Sequence, residues 1–300
     1  MLFQSNIING ENLLHINSCI FATISNTVFD NITLTSFTID TVRITGVGGS
    51  TTLSNVSITN SDFLSTPSVY LEGSYGQIVM AQITADNLTT DTQGSIIKID
   101  LATILQASYL TFSNINSYTS DSNDNYMIDI TAMDLGAQFP TQIQHVTVSN
   151  STTGVLKIGS LSGNLSQNNL LAIQNFVISD CSIQNSIDII SFTSVTTSEL
   201  YAIVFSNMIF RDLQFTQGAS LFNLEHLMTL PIQIIDSEFS NILGGKINLE
   251  PFSKDISNLN LNLAINNITV NNVNTQFSSF IEIQTGVILS ITNSNFFNVH

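Results

Sequence analysis

The residues best placed for acid–base chemistry are Asp180 and Asp212, with Arg211 beside the second. They fall at one phase of consecutive repeats in the chain. Two carboxylates stacked at strand spacing push their titrations apart, because like charges so close resist joint ionisation. A glycan-cleaving enzyme uses such a pair as acid and base. The competing reading is structural: each aspartate replaces a corner asparagine and accepts backbone N–H groups. The sequence favours this second reading. Another candidate is the loop DSNDNY, where Asp121, Asn123 and Asn125 alternate like the first three ligands of a calcium loop. Tyr126 stands where that loop needs glycine, and Ala132 where it needs a bidentate glutamate. A solvated loop is therefore favoured over a calcium site.

The remaining chemistry is sparse. His15, His145, His226 and His300 fall in different repeats and phases, so no Ser/His/Asp set is implied. There is no CxxC and no HExxH, and neither a metal nor a cofactor is indicated. Cys19 and Cys181 lie about 5.5 repeats apart, roughly 26 Å at strand spacing. A disulfide tolerates only about 7 Å between Cα atoms, so both are expected to be thiols. Cys181 reads as a small core residue. N-x-S/T sequons occur at Asn31, Asn55, Asn87, Asn150, Asn164 and Asn267. All but Asn164 sit on the polar columns described below, where the amide is needed structurally. Asn164, in GNLSQNN, is the glycosylation candidate if the protein is secreted.

Composition narrows the function classes. The chain has 300 residues, 43% of them apolar, which suffices for a large core. Charged residues are only 9%, against about 25% in a typical soluble domain. Six Lys+Arg against 22 Asp+Glu leave a net charge of −16. Nucleic-acid binding is excluded, because phosphate neutralisation needs many basic side chains. Anionic membranes and anionic polymers would be repelled. No apolar run reaches the ~18–20 residues of a membrane span, so no membrane insertion is expected within this segment. The N-terminal MLFQSNIING carries neither a basic n-region nor an apolar h-region, so no signal peptide is visible.

What must position these residues is a repeat. The pattern apolar-x-Asn-x-x-apolar-x-Asn-apolar recurs as ISNTVFDNI (24–32), IQNFVISDC (173–181), FSNMIFRDL (205–213), IIDSEFSNI (234–242), INNITVNNV (265–273) and ITNSNFFNV (291–299). Weaker copies lie at 53–61, 80–88, 107–115 and 143–151, and a truncated one ends at Ile7. The spacing averages about 29 residues. The penultimate position is Asn6, Asn31, Asn60, Asn87, Asn114, Asn150, Asp180, Asp212, Asn241, Asn272 and Asn298. The residue two before it is mostly Phe, Ile, Val or Ala, and the third position of the motif is mostly Asn or Asp. A second element follows each copy with period-2 alternation, as in Ile96-Ile97-Lys98-Ile99 and Met127-Ile128-Asp129-Ile130, a strand signature. A third apolar stretch, such as LNLAI at 261–265, leads into the next copy.

The spacing predicts an all-β, single-stranded parallel β-helix of about ten rungs, each of three short strands and roughly 29 residues. Residues 1–300 form one continuous domain, read as a piece of a longer chain because no cap covers either end. Asparagines at one corner should stack into a ladder whose amides satisfy groups left unpaired by the bend. Leucine-rich repeats are the runner-up fold, disfavoured by two polar columns and few fixed leucines. FDNI (29–32), FSNI (112–115 and 239–242), FFNV (296–299) and the GGKI element at 244–247 resemble the right-handed parallel β-helices of the pectin-lyase-like superfamily. The similarity is greatest to non-enzymatic surface members, such as polymorphic outer-membrane-type and ciliate β-helix proteins. That resemblance implies an extracellular or cell-surface segment serving as a structural stalk or adhesion surface. Its expected partners are a glycan or a protein surface, with end-to-end stacking on the rest of a longer chain. The alternative is a carbohydrate-active enzyme of lyase or hydrolase type, or a glycan-binding β-helix. A stripe of aromatics and carboxylates on one outward face would favour it, and the aligned sequence shows none. A phage-type fibre is a third reading.

Overall fold

The structure is a computed structural model that describes residues 2–8, 12–34, 40–63, 66–73, 77–90, 95–117, 125–134, 141–162, 170–184, 187–193, 202–216, 219–227, 231–251, 261–275, 279–283 and 287–300. These residues form two sheets and, among them, no helix. In spatial order the first sheet holds Leu2–Ile8, Phe21–Leu34, Ser50–Phe63, Gln77–Thr90, Ile104–Ser117, Thr141–Ser149 and Leu170–Ile183. It continues through Ala202–Ser206 with Ile209–Phe215, then Pro231–Leu243, Leu261–Asn274, and Val287–Thr292 with Asn295–Val299. The second sheet holds Leu14–Asn17, Val42–Val47, Val69–Gly73, Ile97–Ala102, Tyr126–Asp134, Gly154–Ser162, Ile190–Phe192, Phe222–Leu227, Ile247–Pro251 and Ile281–Ile283. The described pairings are parallel, and the chain alternates between the sheets, which makes a parallel β-solenoid.

The strand arrangement differs from the three short strands read in the sequence. The apolar lead-in and the motif join into one strand of up to 14 residues, as in Ser50–Phe63, and the second sheet supplies the other strand of the turn. The reason lies in single left-handed residues. Asn55 has φ of 52° and Asn60 of 50°. Each bends the chain without ending the pairing on either side: Ser54 pairs with Ala81, Val56 with Ile83, Thr59 with Asp86 and Ser61 with Leu88. The same residues shift the alternation. In this strand the buried positions are Thr51, Leu53, Val56, Ile58, Ser61 and Phe63, so the step lengthens by one at each asparagine. All three limbs thereby keep an inward face, although the chain has turned twice.

Two columns of left-handed residues run along the solenoid. One holds Asn26, Asn55, Gln82, Tyr109, His145, Asn175, Asn207, Asp236, Asn267 and Asn293. The other holds Asn31, Asn60, Asn87, Asn114, Asn150, Asp180, Asp212, Asn241, Asn272 and Asn298. Left-handed geometry costs an ordinary L-residue about 1–2 kcal/mol, and asparagine tolerates it best because its short side chain bonds nearby. Here those bonds run between turns. In the second column Asn60 Nδ2 donates to Asp30 Oδ1 (2.8 Å) and Asn87 to Asn60 (2.8 Å). A second run starts on Asp86, which accepts from Asn114 (2.7 Å), and Asn114 accepts from Asn150 (2.6 Å). A third starts on Asp212, with Asn241 and Asn272 following at 2.9 Å each. An aspartate accepts but cannot donate, so it can begin a run and not continue one. In the first column Asn55 bonds Asn26 and Asn267 bonds Asp236, each at 2.7 Å. Tyr109 and His145 replace the amide by a ring stack with centroids 4.7 Å apart and planes 2° from parallel.

The core is a set of like-on-like columns. Register places Phe29, Ile58, Ala85, Phe112, Val148, Ile178, Phe210, Phe239 and Val270 over one another, all buried. Ile44, Leu71, Ile99, Ile130, Ile158, Phe192 and Leu224 face them from the second sheet. Phe205, Phe210, Phe222, Phe239 and Phe280 meet at 4.9–6.2 Å, mostly edge to face. Each buried Phe contributes roughly 1.5–3 kcal/mol by removal from water.

Asn114 tests the ladder because it both donates and accepts. Asn114→Ala is expected to cost about 2–4 kcal/mol, from two lost bonds plus left-handed strain. Asn114→Gly keeps the backbone unstrained and should cost roughly half as much. Denaturant unfolding of the two variants measures the difference.

Candidate functional site

Asp180 and Asp212 occupy the second left-handed column on neighbouring strands, between the registered pairs Ser179–Arg211 and Cys181–Leu213. Both side chains are exposed, and Arg211 lies exposed beside them. Asp212 accepts the Asn241 amide at 2.9 Å, so it serves as a ladder acceptor. An exposed corner gives a substrate no wall and excludes no water, whereas enclosure and water exclusion are what tune catalytic carboxylates.

Of the calcium candidate, Asp121 and Asn123 lie outside the described residues. Asn125 is described, and it is buried. Its Nδ2 donates to Ser117 Oγ (2.5 Å) and its backbone carbonyl accepts the Gly154 N–H (3.1 Å). Among the described residues no group of three His, Cys, Asp or Glu side chains is placed to hold a metal ion. Asn164 also lies outside the described residues. The sequon amides of Asn55, Asn87, Asn150 and Asn267 each donate to the preceding turn at 2.6–2.8 Å. A glycan on any of these nitrogens would displace that bond.

A recurring polar device follows the left-handed corners, and the sequence reading missed it. Ser61, Ser151, Ser237 and Ser294 each donate to the carbonyl two residues back, at 2.6–2.8 Å. Each hydroxyl also accepts a backbone N–H from the preceding turn: Ile32, Ile115, Met208 and Ile268, at 2.9–3.3 Å. These N–H groups lose their strand partner where the chain bends. Cys181 fills the same slot with sulfur. Its Sγ donates to the Ser179 carbonyl at 3.1 Å and takes the Ser151 N–H. Burial pushes the Cys181 thiol up to about 11, against the Ser151 bond that lowers it. Cys19 and Cys181 are both free thiols. The visible signal was the recurrence of Asn or Asp followed by Ser, at 60–61, 150–151, 236–237 and 293–294.

The outward face of the second sheet carries a line of charged and aromatic residues. Register sets His15, Arg43, Tyr70, Lys98, Asp129 and Lys157 in one line. The Arg43 guanidinium lies 4.4 Å from the Tyr70 ring centre and bonds Asp40 at 2.9 Å. Tyr70 OH donates to Asp100 Oδ2 at 2.7 Å. Lys98 stands 3.7 Å from Asp129, and Lys157 lies 5.8 Å from the Tyr126 ring centre. Further along, Asn248 bonds Asn223 (2.9 Å) and Lys246 pairs with Glu282. In the Arg43 and Lys98 ion pairs the cation is part-exposed while its carboxylate, Asp40 or Asp129, is more deeply covered. The aligned sequence showed no such stripe; side chains 27–31 residues apart acquire it through register.

Two carboxylates titrate away from the ordinary range. Burial pushes Asp40 up to about 6, although Arg43 pulls it back. Hydrogen bonds from Ser113 and then Asn114 hold Asp86 low. Desolvation, then the bond to Asp100, pushes the Tyr70 hydroxyl above its ordinary range.

This geometry defines a parallel β-solenoid with two amide-lined corners and one charged, aromatic face. The chain matches no protein-family model, no curated protein and no solved structure.

Two outcomes follow from these groups. Cys181→Ser should unfold within about 1 kcal/mol of wild type, because the hydroxyl reproduces both bonds, whereas Cys181→Ala should cost about 1–3 kcal/mol; denaturant titration separates them. For Asp40 the folded pKa lies above the ordinary 3.8, so the folded state holds the extra proton between about 4 and 6. Its contribution to stability therefore declines as pH rises through that window. The wild-type thermal midpoint should fall relative to Asp40→Asn over the same range. Asp86 acts in the opposite sense, its contribution disappearing as pH drops below the ordinary carboxylate range.

Proposed function

We propose that this chain is a non-enzymatic segment of an extracellular or cell-surface protein, a stiff shaft whose flank carries an adhesive face. The observation that supports this most is the side-chain ladder, in which exposed corner amides bond turn to turn beside the parallel backbone pairing. Such a stack behaves as a quasi-one-dimensional array, each turn held by its neighbours. We read it as one domain of about ten rungs of roughly 29 residues, related to the pectin-lyase-like superfamily. End-to-end stacking on a further part of a longer chain is part of the same reading. The ligand would be a glycan or a protein surface, met by the line from Arg43 to Lys157.

The second reading is a glycan-binding or carbohydrate-active β-helix. What favours it is the same line, because Tyr70, Asp100, Lys98 and Asp129 offer a ring edge and paired hydrogen-bonding groups to sugar hydroxyls.

Single-molecule pulling between the ends tests the shaft. Release in steps of roughly 100 Å is expected, one repeat of about 29 residues at 3.3–3.6 Å per residue. A single all-or-none extension would count against it. Incubation with polysaccharides should yield no new reducing ends and no unsaturated products. Products that vanish in the Asp180→Asn, Asp212→Asn double variant would install the enzyme reading instead.

A further inference from the structure

Where the chain turns into the second sheet, a group of buried side-chain oxygens has no hydrogen-bond partner among the described residues. They are Thr41 Oγ1, Thr66 Oγ1, Ser68 Oγ, Ser95 Oγ, Asn125 Oδ1 and Thr153 Oγ1. All six residues are at most 3% exposed. They precede five strands that are successive neighbours in the sheet: Val42–Val47, Val69–Gly73, Ile97–Ala102, Tyr126–Asp134 and Gly154–Ser162. Backbone bonds knit the corner together. Val42 N–H donates to Ser68 O (2.9 Å), Ser68 N–H to Ser95 O (3.1 Å) and Gly154 N–H to Asn125 O (3.1 Å). Asn125 has its Nδ2 engaged by Ser117, so its Oδ1 remains as an acceptor.

A buried polar group without a partner costs about 1–3 kcal/mol. Five turns in succession would consume much of the ~5–15 kcal/mol by which folds are stable. Native interiors seldom keep such groups unsatisfied, and ordered water is their usual partner. The spacing suits water. Neighbouring turns stand about 4.7–4.9 Å apart. A water oxygen at about 2.8 Å from each of two side-chain oxygens spans that gap with an angle near its own tetrahedral preference. The ligand set points the same way. Hydroxyls both donate and accept, as a bridging water requires, and none of the six groups is a carboxylate that would call for a cation.

We infer that this corner holds ordered waters bridging neighbouring turns where the register sets two such oxygens opposite each other, one between Thr41 and Ser68 and one between Asn125 and Thr153.

The sign of a mutational effect tests this. Thr41→Val and Thr153→Val remove a hydroxyl at nearly constant volume. If water bridges the hydroxyls, each variant leaves that water short of a partner, and the thermal midpoint drops by a few degrees. If the hydroxyls are unsatisfied, each variant relieves a penalty, and a raised midpoint overturns the inference. A high-resolution crystal structure of the wild-type chain gives an independent reading. Density refining as water within hydrogen-bond reach of both Thr41 Oγ1 and Ser68 Oγ, or of both Asn125 Oδ1 and Thr153 Oγ1, supports the inference. An empty corner, or density that refines as a metal ion, overturns it.

Discussion

The solenoid depends on a backbone constraint: each turn must place two left-handed residues five positions apart, as at Asn26 and Asn31 or Asn267 and Asn272. Without those two bends the strand would run straight past the core. With them, an ordinary side chain would strain the backbone and leave N–H groups unpaired. Asparagine answers all three demands of the site. It tolerates the conformation, and its amide gives one bond and takes another across the gap between turns. Aspartate answers two of them, as at the left-handed Asp212, where a run of ladder bonds begins; Asp30 and Asp86 start the other runs from one residue before the bend. Serine at the next position closes the account of stranded N–H groups from inside the core.

Much of this was legible in the sequence, because a strict conformational demand narrows residue choice. The penultimate asparagine of the motif and the apolar residue two before it mark the outer corner and the inner column directly. Both run through the register as Asn60, Asn87 and Asn114 do beside Ile58, Ala85 and Phe112. The strand count was not legible, because a one-residue bend and a true break look alike in an apolar pattern. Position 207 shows a break and position 60 does not, although both are asparagine. The serine slot was hidden by composition: in a chain rich in Asn and Ser, a recurring Asn-Ser pair carries little surprise.

The candidate site divides along the same line. That Asp180 and Asp212 share a column follows from repeat phase alone. Their exposure depends on which side of the bend they occupy. The alternation of Asp121, Asn123 and Asn125 says nothing about Asn125 turning inward at the start of a strand, where Ser117 and Gly154 engage it. The line from His15 to Lys157 escaped because its residues share no chemical type. Three of the chain's six Lys and Arg residues, Arg43, Lys98 and Lys157, stand on it. In a molecule of net charge −16, that places cationic character on one flank.

Every ladder bond between corner asparagines described above points one way, the later amide giving its hydrogen to the earlier oxygen. Asn55 to Asn26, Asn150 to Asn114 and Asn272 to Asn241 all obey this sense. The ladder is therefore vectorial: along the solenoid axis each amide nitrogen points to the earlier turn and each amide oxygen to the later one, so the two directions along the axis are chemically distinct.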